Sequence, residues 1–240
     1  MTTQILRAEV REEFLAIRRD PAALFFSVVM PVAFFAMSMG IFAGSGDGLP
    51  MIATYGAFAA VFVVVLNPGI GLAESRDSGW LRVKRASGTP VSLTLIAKVV
   101  ASVPYALAVL AAMVLTGVVF GDLGGAWTTV ARVAITLVLG ALPFVFIGLA
   151  VGSLAGANTT TAVLNAVLFP MVIASGLWFP LEIMPSWIQS VAPWLPTYHL
   201  AELATAQITG GPIVEHVAVL AFTGIVGAGA AGVAYRSARA

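Results

Sequence analysis

From Val133 to Leu181 the chain runs 49 residues without an aspartate, glutamate, lysine or arginine. One membrane-crossing helix needs about 20 mainly apolar residues, so this run holds two. A polar break at Gly152-Ser153-Leu154-Ala155-Gly156-Ala157-Asn158-Thr159-Thr160-Thr161 divides them. Shorter charge-free intervals flank it: 26 residues between Asp20 and Asp47, 26 between Asp47 and Glu74, 23 between Lys98 and Asp122, and 20 from His216 to Tyr235. The intervals predict six spans, near 22–43, 51–73, 97–120, 129–151, 159–179 and 214–235. The composition agrees: 60% of the 240 residues are hydrophobic and 10% charged, against roughly 25% charged in soluble domains. The expected fold is an all-α polytopic membrane protein, one unit over 1–240 with a six-span core at 22–235.

Basic residues orient the spans. Arg7, Arg11, Arg18 and Arg19 precede the first, Arg76, Arg82, Lys84, Arg85 and Lys98 follow the second, and Arg236 and Arg239 follow the last, which makes 11 of 12 on one face. The positive-inside bias makes that face cytoplasmic and puts both termini there. Arg132 falls near the outer end of the fourth span, where it can snorkel to the interface. Leu6, Val10, Phe14 and Ile17 share one face of a helix over residues 1–20, with Arg7, Arg11 and Arg18 on another; this predicts an amphipathic helix in the membrane interface. Asp20-Pro21 ends it.

Several chemistries lack their residues. Histidines occur only at 199 and 216, with no HExxH pair, and cysteine is absent, so zinc sites and thiol nucleophiles are not expected. G-x-S-x-G and the phosphate-binding G-x-x-x-x-G-K-[ST] pattern are missing too, so any ATP and Mg are expected on a separate protein. A net charge of +1 gives no nucleic-acid footprint. Ionisable groups are missing from the middle of every predicted span, which leaves proton or ion relays little to work with. Asn67, Asn158, Asn165 and Thr159–Thr161 suit interhelical packing or the lining of a path. Asn158, Asn165 and Phe169 fall on one helix face.

Two segments carry more signal. Glu74-Ser75-Arg76-Asp77-Ser78-Gly79-Trp80-Leu81-Arg82-Val83-Lys84-Arg85 places six charges in twelve positions. A short helix over 78–86 would present Trp80 or Leu81 as an apolar anchor rimmed by Arg82, Lys84 and Arg85, suited to docking on another protein or to holding anionic headgroups. The second segment, Ser175 to His199, carries Phe179, Pro180, Pro185, Trp187, Pro193, Trp194 and Pro196. Proline-punctuated aromatics there predict short re-entrant helices at the outer interface before the last span.

An amphipathic helix closing at Arg19-Asp20-Pro21, then Glu74-x-Arg76-xx-Gly79 running to Pro90, then Ser175-Gly176…Phe179-Pro180…Pro185-x-Trp187…Pro193…Pro196, resembles the permease subunits of type-2 ABC exporters, daunorubicin-resistance-like drug permeases among them. The resemblance implies an N-terminal elbow helix and a coupling helix around Glu74, Arg76, Asp77, Gly79, Trp80 and Leu81. It also implies separate ABC ATPase subunits, a second permease copy (homodimer or heterodimer), and a substrate path flanked by the second and fifth spans. The expected setting is a bacterial cell membrane, in contact with its lipids. The expected activity is export of a drug-like, lipid-like or other amphipathic molecule, the chain having no catalytic site of its own; the rival reading is a nucleotide-independent carrier or channel. Ala201-Glu202 follows Tyr198 where many relatives carry a basic residue, so no charge role transfers there.

Overall fold

The computed structural model describes residues 2–19, 25–42, 48–87, 90–120, 123 and 125–237. Among them all regular structure is helical. Helix α1 is Thr2–Arg19; a π-helical stretch, Phe25–Val29, runs into α2, Met30–Phe42. Then follow α3 (Gly48–Asp77), α4 (Trp80–Ala86), α5 (Val91–Phe120), α6 (Trp127–Ala141), α7 (Val145–Leu154), α8 (Ala157–Ala174), α9 (Ser186–Val191), α10 (Pro196–Thr209) and α11 (Val214–Ser237).

Five helical stretches are long and apolar enough to cross a bilayer: Gly48–Asp77, Ser92–Phe120, Trp127–Leu154, Ala157–Ala174 and Val214–Ser237. The first predicted span meets a shorter apolar helix: α2 has 13 residues, and the π-helical stretch adds five. Residues 20–24 and 43–47, on which that span's ends fall, lie outside the described residues. The fourth span is continuous through a 3₁₀ turn, Leu142–Phe144, at Pro143, where proline removes a helical hydrogen bond. The fifth ends earlier than expected, at Ala174, because Gly176 adopts a left-handed φ of 74°.

Helix α3 is the axis of the bundle. Its most apolar window is 83% buried, against 17% for α11, and it packs on α5, α7, α8, α10 and α6. Between apolar helices in lipid the driving force is close packing, since the tails are as apolar as the side chains. Glycines supply that closeness: a methyl on Gly69 would stand 2.8 Å from the Gly148 carbonyl oxygen, and one on Gly148 or Gly152 would run into the Val65 or Gly69 carbonyl. The outward apolar residues of the other helices, such as Val119, Phe222 and Ile225, then face lipid or another protein.

Helix α1 runs along α5 over their contact. Glu9 reaches Thr94 (3.0 Å), Glu13 reaches Lys98 (2.7 Å), and the Phe14 carbonyl accepts from the Tyr105 hydroxyl (2.8 Å); the partners advance together along both helices. Its inward face is therefore acidic, and Phe14 stacks on Tyr105 at 5.3 Å. The side chain of Ile17, expected on the apolar face, lies outside the described residues.

The glycine contact makes a direct test. Gly148→Ala should cost about 1–3 kcal/mol, because the α3 and α7 backbones must separate to admit a methyl group. Gly229→Ala, where a methyl would meet nothing within 4 Å, should be neutral. Thermal unfolding of the purified variants in detergent checks both.

Candidate functional site

The charged segment after α3 forms a short helix as expected, α4, entered through Gly79 at φ 73°. A residue with a Cβ is strained in that left-handed region, so the turn from α3 into α4 depends on glycine. Most of the charges are engaged within the chain. Arg76 Nη1 donates to the Gly152 and Ala155 carbonyls (3.0 and 3.3 Å) at the C-terminal end of α7, where a helix leaves carbonyls unpaired and favours a cation. The next residue, Asp77, accepts from the Ala157 backbone N–H (2.9 Å) with Oδ2, at the helix start where an anion is favoured. Two consecutive side chains at the end of α3 thus fix both sides of the α7–α8 junction.

Two side chains of the segment sit differently from expectation. Leu81 is 3% exposed and packs inward with Leu72, Val145 and Leu149, so Trp80, 45% exposed, remains as the outward anchor. Lys84 is buried, not on the rim: its Nζ donates to Glu9 Oε2 at 2.6 Å, and its ammonium stands 5.7 Å from the Trp80 ring centroid. Arg82 is exposed as predicted, beside exposed Val83, and Glu74 is exposed at the end of α3; the side chain of Arg85 lies outside the described residues. Sequence reading missed Glu9, Glu13 and Thr94. The readable signal was the i, i+4 spacing of Glu9 and Glu13 on the amphipathic helix.

The expected path residues are divided. Asn67 lines a hollow toward α1, and its Nδ2 is buried with no acceptor among the described residues. Asn158 is exposed, whereas Asn165 is half-buried and donates to the Thr161 carbonyl one turn back (2.8 Å). Phe169 joins an aromatic cluster at the other end of the bundle: its ring lies 5.1 Å from Phe62 and 5.7 Å from Trp178, and Trp178 contacts Phe34 (4.7 Å) and Phe58 (5.1 Å). The Tyr55 hydroxyl donates to the Trp178 carbonyl at 2.8 Å and lies 2.8 Å from Ser38 Oγ, whose hydroxyl donates in turn.

Four of the five prolines between α8 and α11 each stand at the start of a short helix. Pro180 precedes the 3₁₀ turn Leu181–Ile183, Pro185 precedes α9, Pro193 lies in the first positions of the 3₁₀ turn Ala192–Trp194, and Pro196 opens α10. A missing N–H costs nothing at a helix start. Phe179 is half-buried, and Trp187 and Trp194 project outward. Helix α10 turns back into the bundle against α3, α6 and α11. There His199 Nε2 donates to the Pro193 carbonyl (2.9 Å), and the two Nδ1 atoms of His199 and His216 lie 2.8 Å apart. A carbonyl only accepts, so His199 carries its proton on Nε2 and His216 donates through Nδ1. Both histidines thereby tie α10 to α11.

The two glutamates nearest Lys84 separate burial from mere proximity. Glu9→Gln should destabilise the protein by about 3 kcal/mol, because it leaves a buried ammonium without its charge partner. Glu12, 3.9 Å from the same ammonium but with its side chain 60% exposed, should change stability by less than about 0.5 kcal/mol as Glu12→Gln. Unfolding midpoints of the two variants check the difference.

Comparison with known proteins agrees with this architecture. The chain is 24% identical over 222 residues to a Bacillus subtilis (strain 168) protein named "Putative transport permease YvfS", an alignment covering 90% of this chain and 91% of that one. The model of the ABC-2 type transporter family matches residues 4–209. With its spanning helices gathered around α3, the chain belongs to the ABC-2 type transporter family and is a membrane transport permease.

Proposed function

We propose that this chain is the membrane half of an ATP-driven exporter, and that an ABC ATPase subunit docks on the outer surface of α4 from the cytoplasm. The observation that carries this reading is the two-sided character of α4. Outward it presents Trp80, Val83 and Arg82; inward it is fixed by Leu81 and Lys84. A displacement of α4 is therefore passed to α1 through Glu9–Lys84. Through the end of α3 it reaches the α7–α8 junction, held by Arg76 and Asp77. Coupling of this kind needs a rigid element with two arrangements, biased by the partner. ATP and Mg belong to the ATPase, and the chemistry of hydrolysis stays there.

A second permease copy, identical or related, completes the path, which in this reading passes the face of α8 bearing Asn158, Asn165 and Phe169. The aromatic cluster around Trp178 and the short helices after it form the outer closure, with Trp187 and Trp194 at headgroup level. Spans without buried charge in their middle suit an amphipathic cargo, drug-like or lipid-like, moved outward from the cytoplasm or inner leaflet. The setting is a bacterial cell membrane, with both termini in the cytoplasm.

Trp80→Ala should weaken the ATPase complex by about 2 kcal/mol or more, roughly thirtyfold in affinity, as truncation of a central aromatic anchor does. Arg82→Ala should alter mainly the association rate and its salt dependence. Co-purification of the ATPase and transport-coupled hydrolysis measure both. Full binding and coupling in Trp80→Ala would remove α4 as the docking element and return the carrier reading.

A further inference from the structure

A groove of about 690 Å³ runs down the bundle between α5 and α11, with the bend from α6 into α7 as its floor. Leu95 and Val99 of α5, Phe146 and Leu149 of α7, and Gly232 and Tyr235 of α11 stand along it. We propose that it holds one anionic phospholipid, with an acyl chain lying in the groove and the phosphate against Arg236.

The lining decides what lies inside. None of its described residues carries a charge, and the Ser153 hydroxyl already donates to the Leu149 carbonyl at 2.7 Å. A polar occupant would lose its hydration and gain few hydrogen bonds, so the occupant is a hydrocarbon. Small side chains make room for it. Gly224, Ala228, Ala231 and Gly232 fall on one face of α11 and all line the groove, while the exposed Phe222, Ile225 and Val233 stand outside it. In a membrane, small residues ordinarily let helices approach one another. At Gly224 they do: an added methyl would stand 3.4 Å from Pro143 Cβ, and this contact closes one end of the groove. At Gly232 a methyl would meet nothing of the described residues within 4 Å, so the room there serves no contact between helices.

The dimensions select a lipid over a helix. From Gly224 to Tyr235 is about 16 Å along α11, close to half of the roughly 30 Å hydrocarbon layer, so the groove is one leaflet deep. Spread over that length, 690 Å³ gives a channel about 7 Å across, narrower than a helix of about 10–12 Å diameter. A second copy of the chain cannot seat a helix there, whereas an extended hydrocarbon chain fits.

The headgroup follows from the open end. Tyr235 and Ser153 stand at the α4 end of the bundle, Ser153 following Gly152, whose carbonyl receives Arg76. Arg236, next to Tyr235 in the last turn of α11, is exposed and outside every ion pair among the described residues. A cation at headgroup level favours a phospholipid of net negative charge over a zwitterionic one. The inference takes from the functional reading only that the α4 end lies at a membrane surface. No residue of the groove belongs to the outward side of α4, so either proposal can fail while the other stands.

Native mass spectrometry of the full-length chain in detergent tests it, with phosphatidylglycerol and phosphatidylcholine of identical acyl chains supplied in equal amounts. Phosphatidylglycerol should be the last lipid retained, over phosphatidylcholine by roughly fivefold, equivalent to about 1 kcal/mol. Gly232→Leu, which places its side chain in the groove, should abolish that retention. Gly229→Leu should keep it, because a methyl there also meets nothing within 4 Å but the residue lies outside the groove. Arg236→Gln should hold the two lipids equally. Unfolding midpoints in lipid-free detergent should show all three variants folded. Equal retention of the two lipids by the native chain, equal retention by Gly232→Leu and Gly229→Leu, or an undiminished preference in Arg236→Gln would overturn the proposal. A changed oligomeric state in Gly232→Leu would overturn it as well, assigning the groove to a second copy.

Discussion

The structure depends on the contact of α3 with α7, where Gly69, Gly148 and Gly152 let two backbones approach without an intervening side chain. In a bilayer the expulsion of water does little to hold helices together, and dispersion between closely fitted surfaces must do it. Only helices that can come this near gain enough. With α7 fixed on α3, α11 packs on α7, and α5, α8 and α10 fill the rest of the α3 surface. The helices that remain outermost keep their apolar faces turned outward, as a chain solvated by lipid requires.

The two ends of this bundle are held by different physics. At the α4 end the fasteners are charged: Glu9–Lys84, Glu13–Lys98, and Arg76 and Asp77 on the α7–α8 junction. Such groups belong where water and headgroups reach, and they transmit displacement because each joins separate helices. At the other end the fasteners are the aromatic cluster around Trp178, the Tyr55–Ser38 hydrogen bond and the paired histidines. That end has no comparable set of ion pairs among the described residues. In the exporter proposed above, an ATPase pulling on α4 would act on the charged end, and the aromatic end would part for cargo to leave. This division of labour is the physical content of the exporter reading.

Five of the six expected spans were legible because a charge is costly in hydrocarbon, so gaps between charges mark those helices to within about five residues, whereas the first expected span meets only a shorter apolar helix among the described residues. The position of α4 was legible for the same reason, as a dense charge cluster between two apolar runs. Which way its side chains point was not. Helical spacing places Trp80 and Leu81 side by side, but only the packing of Leu72, Val145 and Leu149 decides that Leu81 turns inward. Lys84 looked like a rim charge because its partner, Glu9, lies 75 positions earlier. The aromatic cluster joins Phe34, Phe58 and Phe62 to Phe169 and Trp178 across three helices and a loop, and no local periodicity announces it.

The claim at the centre of this account is that the exposed side of α4 meets an ATPase. Site-specific photocrosslinking in intact cells addresses it directly, with a benzophenone amino acid in place of Val83, 53% exposed on α4, or of Trp187, 66% exposed at the opposite end. The account predicts an adduct at position 83 that mass spectrometry identifies as an ABC ATPase, and none at position 187. No ATPase adduct at 83 in cells that transport normally, or an ATPase adduct at 187, would contradict it.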